Sequence, residues 1–390
     1  MTNRPTYVAV LGSTGSIGRN AVEVISGSSG RLQAVLLSAH RSCKLLLDQA
    51  RRLRPRWVVV TDPEAGAAAD WNGLAEGTEV LYGPEALNRL VVGPQIDVVL
   101  AAIVGAAGLR STWAALEAGK TVALANKETL VMAGALVMRL AAASRAKILP
   151  VDSEHSAIFQ ALHAGRRDEV RRVVLTASGG PFLRHTPEQL AEVSVAETLV
   201  HPTWNMGPKV TVDSATMMNK ALEIVEARWL FDLEPEQIEV VVHPQSVVHS
   251  LVEFIDGSTI AQISPPDMKL PIQYALNYPH RRSGPAPRMD FGRVLQLSFE
   301  PPAGQQAAAL RLGWEAAKAG GSTGTVLNAA NEAAVGQFLI GRLPFDQIVP
   351  ACKAVVERHA FEMNPTLDRI FEIDRWAREE TLQWINRCSN

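Results

Sequence analysis

Acidic, basic and hydroxyl side chains gather at a few places in this sequence where a substrate could be handled. Residues 150–155 read Pro-Val-Asp-Ser-Glu-His. In an extended segment Asp152 and Glu154 would project to one side. Two converging carboxylates repel unless a cation lies between them, and hard oxygen ligands select Mg²⁺ or Mn²⁺, with Co²⁺ a further candidate. Residues 212–223 read Val-Asp-Ser-Ala-Thr-Met-Met-Asn-Lys-Ala-Leu-Glu. In a single helix from Ser214 to Phe231, Asn219, Lys220 and Glu223 would lie within about 100° of one another. Met218, Leu222, Val225 and Trp229 would form its apolar back. Glu223 could complete a three-carboxylate metal site, while Ser214, Asn219 and Lys220 could hold a phosphate. A merely solvated face would carry repeated Glu/Lys pairs instead. Ser178, in the Ala-Ser-Gly-Gly-Pro run at 177–181, sits where glycines would let the backbone join such a site. Residues 201–209, His-Pro-Thr-Trp-Asn-Met-Gly-Pro-Lys, show no periodicity. They read either as a flap closing over substrate or as a segment burying Trp204 and Met206.

A second kind of chemistry is written near the start. Residues 8–11 form an apolar strand that runs into Gly12-Ser-Thr-Gly15-Ser-Ile-Gly18 and then a helix. Glycines there let the turn tighten and a pyrophosphate approach the backbone, which the helix N-terminus favours electrostatically. A tight turn that binds nothing would look alike, but the position at the start of a βαβ series favours dinucleotide binding. The second strand ends Leu-Ser-Ala39-His40-Arg41-Ser42, without the acid that an NAD site places there for the ribose 2′-hydroxyl. Arg41, with His40 and Ser42, suits a 2′-phosphate, so NADP is favoured over NAD. Residues 125–128, Ala-Asn-Lys-Glu, follow the fifth predicted strand, at the kind of carboxyl edge where ligands bind.

The elements that must position these groups follow from hydrophobic patterning. Strands are predicted at 7–11, 33–38, 57–60, 97–101, 121–125 and 147–151, their continuous Val/Leu/Ala character marking burial on both faces. Helical pieces at 21–25, 43–52 and 110–118 complete an α/β, doubly wound parallel sheet of Rossmann-like type over 1–150. After Val151 the rhythm changes. Strand candidates at 172–177, 210–212, 239–242, 247–254 and 258–263 surround the 214–231 helix, an α+β domain over 151–281 with a partly antiparallel sheet. A Pro/Gly-rich linker spans 282–304. Helices at 305–319, 329–340, 345–359 and 373–386 form a C-terminal bundle within 305–390. The stretch 63–83 follows no pattern. The chain has 390 residues, enough for several cores, and a net charge of −2. It offers no basic field for nucleic acid and no membrane-spanning run. Cys43, Cys352 and Cys388 form no metal-ligand cluster and read as thiols in a reducing compartment, so a cytoplasmic location is expected.

With these residues laid out, the chain resembles the 1-deoxy-D-xylulose 5-phosphate reductoisomerase family of the non-mevalonate route to isoprenoids. The resemblance runs over essentially the whole length. Its carriers are 12–18, 125–128, 151–157, 176–182, 201–209 and 212–231, with Val-His-Pro-Gln-Ser-Val-Val-His-Ser from 242 and Leu-Asn-Ala-Ala-Asn-Glu at 327–332. It implies that Asp152, Glu154 and Glu223 ligate a divalent metal, and that Ser153 and Lys127 contact substrate near the reacting carbons. Ser178, Ser214, Asn219 and Lys220 would hold the phosphate end. His201 would belong to a flap whose Trp204 and Met206 cover the substrate. Gly12, Thr14, Gly15, Ser16, Ile17, Asn126, Glu128 and Gly207 would line the NADPH site, with Ala39, His40 and Arg41 near the 2′-phosphate. The segment 39–41 lacks the glycine that some members place before the basic residue, so the 2′-phosphate ligand among His40, Arg41 and Ser42 stays open. The implied reaction rearranges and reduces a phosphorylated ketose to 2-C-methyl-D-erythritol 4-phosphate in a homodimer. Two alternatives are a plain NADP-dependent dehydrogenase of a phosphorylated hydroxy acid or semialdehyde, and a non-enzymic dinucleotide-sensing module. The former needs no metal triad, and the semialdehyde variant needs a nucleophilic cysteine that none of the three fits. The latter needs no phosphate pocket beside a metal.

Overall fold

A computed structural model of the protein describes residues 4–292, 294–304 and 306–388. The chain forms two compact units, neither of them one continuous stretch. The first comprises the chain up to Thr129, Arg139–Ser156 and Asp267–Arg288. The second comprises Leu130–Met138, Ala157–Pro266 and the chain from Met289 onward.

The first unit is built on a parallel sheet of β1 (Thr6–Leu11), β2 (Leu32–Ala39), β3 (Trp57–Val60), β4 (Glu79–Tyr82), β5 (Val98–Ala101), β6 (Thr121–Leu124) and β7 (Lys147–Pro150), in the order β4-β3-β2-β1-β5-β6-β7. Every residue of β3 and β5 is buried, as the unbroken Val/Leu/Ala runs require of strands covered on both faces. The strand order reverses direction between β1 and β5, and both the glycine loop after β1 and the loop after β5 leave the sheet at that point. Edge strand β4 has a half-exposed Glu-Val-Leu-Tyr pattern that carries no strong signal. Helix Lys269–Asn277 also belongs here rather than with the expected 151–281 domain. It packs on helix Ser16–Ser26, with Lys269 Nζ 3.2 Å from Glu23 and 3.3 Å from Asp267.

The second unit holds β8 (Val170–Ala177), β9 (Ile238–Val242), β10 (Val248–Phe254) and β11 (Thr259–Ile263), ordered β11-β10-β8-β9. Only β8 and β9 run parallel, so the sheet is mixed, as expected. Its strands share one core with the C-terminal helices: Val173 and Leu175 join Leu222, Val225, Leu310, Val326, Cys352 and Ile373. Those helices are Gln306–Ala319, Thr323–Leu339, Ile348–Arg358 and Leu367–Cys388. Residue 305, where the first was expected to begin, lies outside the described residues. Segment 294–304 carries no regular strand or helix among the described residues, and is fastened by a bridge between Glu300 and Val242 and by Arg184 on the Glu300 carboxylate.

Three local expectations are corrected. Residues 210–212 were read as a strand from their β-branched run. They lie instead in helix Pro208–Thr216, whose Pro208 occupies the first turn, where a proline costs nothing. The single 214–231 helix is two helices, Pro208–Thr216 and Met218–Leu230, broken at Met217 in the left-handed region (φ +66°). Glu154 is not on an extended segment. Helix Ser153–Ala161 begins directly after Asp152, which puts Glu154 in its first turn.

Candidate active site

At the carboxyl edge of the first unit, the glycine loop is fixed from behind. Ser13 donates its hydroxyl to Gln49 at 2.7 Å, Gln49 returns an amide N–H to the Ser13 carbonyl at 2.8 Å, and Ser38 Oγ accepts the Gly12 N–H. Gly15 precedes the helix that Ser16 and Ile17 begin. Gly18 admits no side chain, since a Cβ would stand 2.3 Å from the Gly12 carbonyl oxygen and 2.4 Å from Ser13 Cα. The loop therefore presents backbone, with Thr14 and Ser16 partly accessible beside it. Next to it runs 102–105 after β5, held by Asn126, whose side-chain amide donates to the carbonyls of Ile103 and Gly105. The Asn126 Oδ1 accepts from both the N–H and the hydroxyl of Thr129, so this side chain also starts helix Glu128–Ser144. At the end of β2, Arg41 is largely exposed, with its Nε 2.9 Å from Asp62, and His40 meets Thr61.

The same unit carries an acidic cluster at the ends of β6 and β7. Lys127 Nζ lies 2.5 Å from Asp152 Oδ2, and both side chains are nearly buried. Burial alone would raise the Asp152 pKa. The Lys127 ammonium and His155 outweigh it and hold the carboxyl well below its ordinary range, so Asp152 is an anion. Ser153 donates its hydroxyl to Glu154. The helix start after Asp152 thus adds Ser153 and Glu154 to the Lys127–Asp152 pair in a cluster of mixed charge.

In the second unit the broken helix does the positioning. Thr216 Oγ1 accepts the Met218 N–H across the break, and the second helix opens with Asn219 and Lys220 in its first turn. Both donate to Glu223, whose side chain is fully buried. Lys220 is only 4% exposed, so a buried ammonium and a buried carboxylate share one helix face. The 178–181 turn comes in close beside Ser214. Gly180 adopts φ +69°, and a Cβ there would stand 2.8 Å from the Ser214 carbonyl oxygen. Only glycine permits that approach. Ser178 Oγ accepts the Gly180 N–H at 3.2 Å and lies 3.1 Å from His201 Nε2. The other His201 nitrogen, Nδ1, accepts the N–H groups of Thr203 and Trp204. The ring therefore carries its proton on Nε2, and burial lowers its pKa and keeps it neutral. With two donors already on its oxygen, Ser178 keeps its own O–H to donate. Trp204 stands edge-on to His249, ring centres 6.0 Å apart. Burial pushes the His249 pKa down to about 4, against a contact to the Ser264 carbonyl.

Comparison with known proteins agrees with this geometry over its whole length. Models of 1-deoxy-D-xylulose 5-phosphate reductoisomerase match residues 8–134, with its C-terminal domain at 148–231 and a further DXP reductoisomerase C-terminal domain at 263–380. The 1-deoxy-D-xylulose 5-phosphate reductoisomerase of Pelotomaculum thermopropionicum is 49% identical over 98% of this chain and 99% of its own. That of Symbiobacterium thermophilum is 50% identical over 95% and 97%. The chain belongs to the 1-deoxy-D-xylulose 5-phosphate reductoisomerase family. Among solved members, the Zymomonas mobilis enzyme in complex with NADPH superposes with a TM-score of 0.90 at 41% identity, covering 98% of this chain and 99% of its own. A reductoisomerase in complex with NADPH, fosmidomycin and magnesium superposes at 0.92 with 38% identity, covering 99% of both chains.

Within this reductoisomerase fold, the first unit brings Lys127, Asp152, Ser153 and Glu154 into one cluster. The second joins Asn219, Lys220 and Glu223, and separately Ser178 and His201. Trp204 and Met206 are half-buried on the 201–207 loop rather than in the core. Ser214 lies at the end of the first helix, not in the same N-terminal turn as Asn219 and Lys220. Sequence reasoning missed the 102–105 loop, which its place at the carboxyl end of β5 could have signalled. It also gave no role to Gln49 or to His249, and only the fold brings these to the glycine loop and to Trp204.

Proposed function

We propose that Asp152, Glu154 and Glu223 hold the divalent metal with which this reductoisomerase converts 1-deoxy-D-xylulose 5-phosphate to 2-C-methyl-D-erythritol 4-phosphate, using NADPH. When bound, the metal supplies a Lewis acid for the ketone and neighbouring hydroxyl oxygens, and the nicotinamide supplies the hydride. The donor set fits. All three side chains are carboxylates, the hard oxygen ligands that Mg²⁺ and Mn²⁺ prefer, with Co²⁺ a further candidate. The observation that carries the assignment is the cross-pairing of Glu223 with Asn219 and Lys220. A buried anion and a buried cation neutralise each other there. A dication taken by Glu223 and a phosphate dianion taken by Lys220 and Asn219 arrive with opposite charge, so both partners are replaced without stranding either.

Around that exchange the other residues bind and orient. Ser178 donates a hydroxyl hydrogen bond to a phosphate oxygen, directed by His201 and the Gly180 N–H, and Ser214 adds its hydroxyl from the neighbouring helix end. Lys127 and Ser153 address the oxygens near the reacting carbons. The 201–207 loop closes with Trp204 and Met206 over the carbon chain and excludes water. Gly12, Thr14, Gly15, Ser16 and Ile17 take the pyrophosphate side of NADPH, Asn126, Glu128 and Gly207 line the rest, and Ala39, His40 and Arg41 face the 2′-phosphate. The separate thiols Cys43, Cys352 and Cys388 support a cytoplasmic enzyme. A homodimer is supported by exposed apolar side chains on the second unit. Phe291, at 77%, and Val294, at 93%, lie in the 289–299 segment, and Ile260 and Ile263 lie on edge strand β11. The deciding experiment is NADPH oxidation with 1-deoxy-D-xylulose 5-phosphate, with and without EDTA. Turnover that survives complete chelation would sink the metal assignment.

A further inference from the structure

Two sequence blocks that carry the family resemblance, 212–231 and 327–332, meet in the second unit at a residue to which no role has been given. Asp213, directly before Ser214, is fully buried. Its Oδ2 lies 2.9 Å from Lys209 Nζ, one turn earlier on the same helix. Its Oδ1 accepts the side-chain amide of Asn331, also fully buried, at 2.8 Å. A buried carboxylate is costly unless it is paired and hydrogen-bonded, so a chain does not carry one for packing alone when an apolar residue of similar size would fill the space.

Its location shows what it fixes. Gly207, extended at φ −70°, is the last residue of the 201–207 loop, and Pro208 opens the helix. Lys209 is therefore the first side chain after the loop able to hold its root. The other root is held by His201 on Ser178. Asn331 sits on Thr323–Leu339, and its neighbour Glu332 takes Arg378, which also grips Asp374 on the last helix. The loop root is thus tied through Asp213 to the C-terminal helices.

We infer that Asp213 is a positioning residue: by holding Lys209 against Asn331 it makes the C-terminal helical layer the fixed post from which the 201–207 loop closes and Ser214 is aimed. This rests on the loop and phosphate roles proposed above.

The test uses the full-length enzyme. Asp213→Asn keeps the volume and a carbonyl for Asn331 but loses the ion pair. It should raise KM for 1-deoxy-D-xylulose 5-phosphate, and the inhibition constant of a hydroxamate phosphonate, by about tenfold, the scale of one charge-assisted hydrogen bond. KM for NADPH should move less than about twofold, far below that scale. Limited proteolysis should cut the loop faster in the presence of the phosphonate. Lys209→Met should behave alike, Lys209→Arg should recover most of the loss, and the Asp213→Asn/Lys209→Met double variant should be no worse than either single one. If Asp213→Asn does not fold, the Lys209→Met and Lys209→Arg pair gives the same reading. A folded Asp213→Asn with a lowered Tm, unchanged substrate KM and unchanged loop cleavage would overturn the inference. So would additive effects in the double variant. Lys220→Ala serves as the control: undiminished phosphonate affinity there would refute the phosphate assignment instead, and loop cleavage would still decide the role of Asp213.

Discussion

The glycine edge of the first unit and the Lys220 corner of the second, proposed above to receive the nucleotide and the substrate phosphate, would handle similar anionic groups by different means. One is made of backbone: a loop of close-packed glycines at a strand end, braced from behind by Gln49 and Ser38. The other is made of side chains: a buried Lys220–Glu223 pair, and a serine whose hydroxyl is oriented by a neutral histidine. The first has no room for a new atom at Gly12 or Gly18. The second has no tolerance for a missing charge.

Charge removal at the second unit should give the largest effect. Glu223→Gln keeps shape and loses the anion, and kcat/KM should fall roughly a thousandfold at any metal concentration. NADPH binding, followed by nicotinamide fluorescence, should stay intact, and loss of both together would erase the contrast drawn here. Acid strikes the same region next. His249 has a folded pKa near 4 against 6.5 for the free side chain. Its contribution is therefore fully present above pH 6.5 and is lost as pH falls from 6.5 towards 4, up to about 3 kcal/mol. Denaturant titrations at pH 7 and pH 5 should show that slope, and His249→Gln should flatten it. An added atom tests the first unit. Gly18→Ala should weaken NADPH about a hundredfold, some 2.7 kcal/mol, because the three atoms nearest the new methyl are all backbone. Calorimetry should find the phosphonate still bound, and normal NADPH affinity would show that the loop has slack. Lys220→Ala should cost a hydroxamate phosphonate about 1.5–3 kcal/mol. The smallest effect belongs to Arg41→Ala, about a tenfold loss of preference for NADPH over NADH in kcat/KM. Arg41 is 68% exposed and already shares its charge with Asp62, which limits what it gives a 2′-phosphate.

The same contrast decides what the sequence made legible. Strands β3 and β5 are apolar and buried at every residue, and β1, β2, β6 and β7 are largely so, which is the pattern that cover on both faces leaves in a short run. Edge strand β4 is half exposed and left none. In the second unit, Asn219, Lys220 and Glu223 stood out because their helix has an apolar back. The break at Met217 did not, since Ala-Thr-Met-Met-Asn contains neither glycine nor proline. Its left-handed residue is accompanied by a local bond, Thr216 Oγ1 accepting the Met218 N–H, and by a tertiary one, Gly180 pressed on the end of the first helix, which a reading of periodicity does not register. Residues 210–212 misled for a local reason. Their β-branched propensity is overridden by Pro208 at the helix start and by the Lys209–Asp213 pair one turn apart.

The division of the chain into interleaved stretches bears on how the protein is made. Helix Lys269–Asn277 covers part of the first unit, yet it follows the whole 157–266 stretch in the chain. A nascent polypeptide that has cleared the ribosome up to residue 156 therefore holds a parallel sheet whose helix Ser16–Ser26 still lacks the neighbour it packs against. The first unit therefore does not close before the 157–266 stretch of the second has been made, and the second in turn waits for the chain from Met289 onward. The two units are thus supplied in alternation along the chain rather than one after the other as beads on a string.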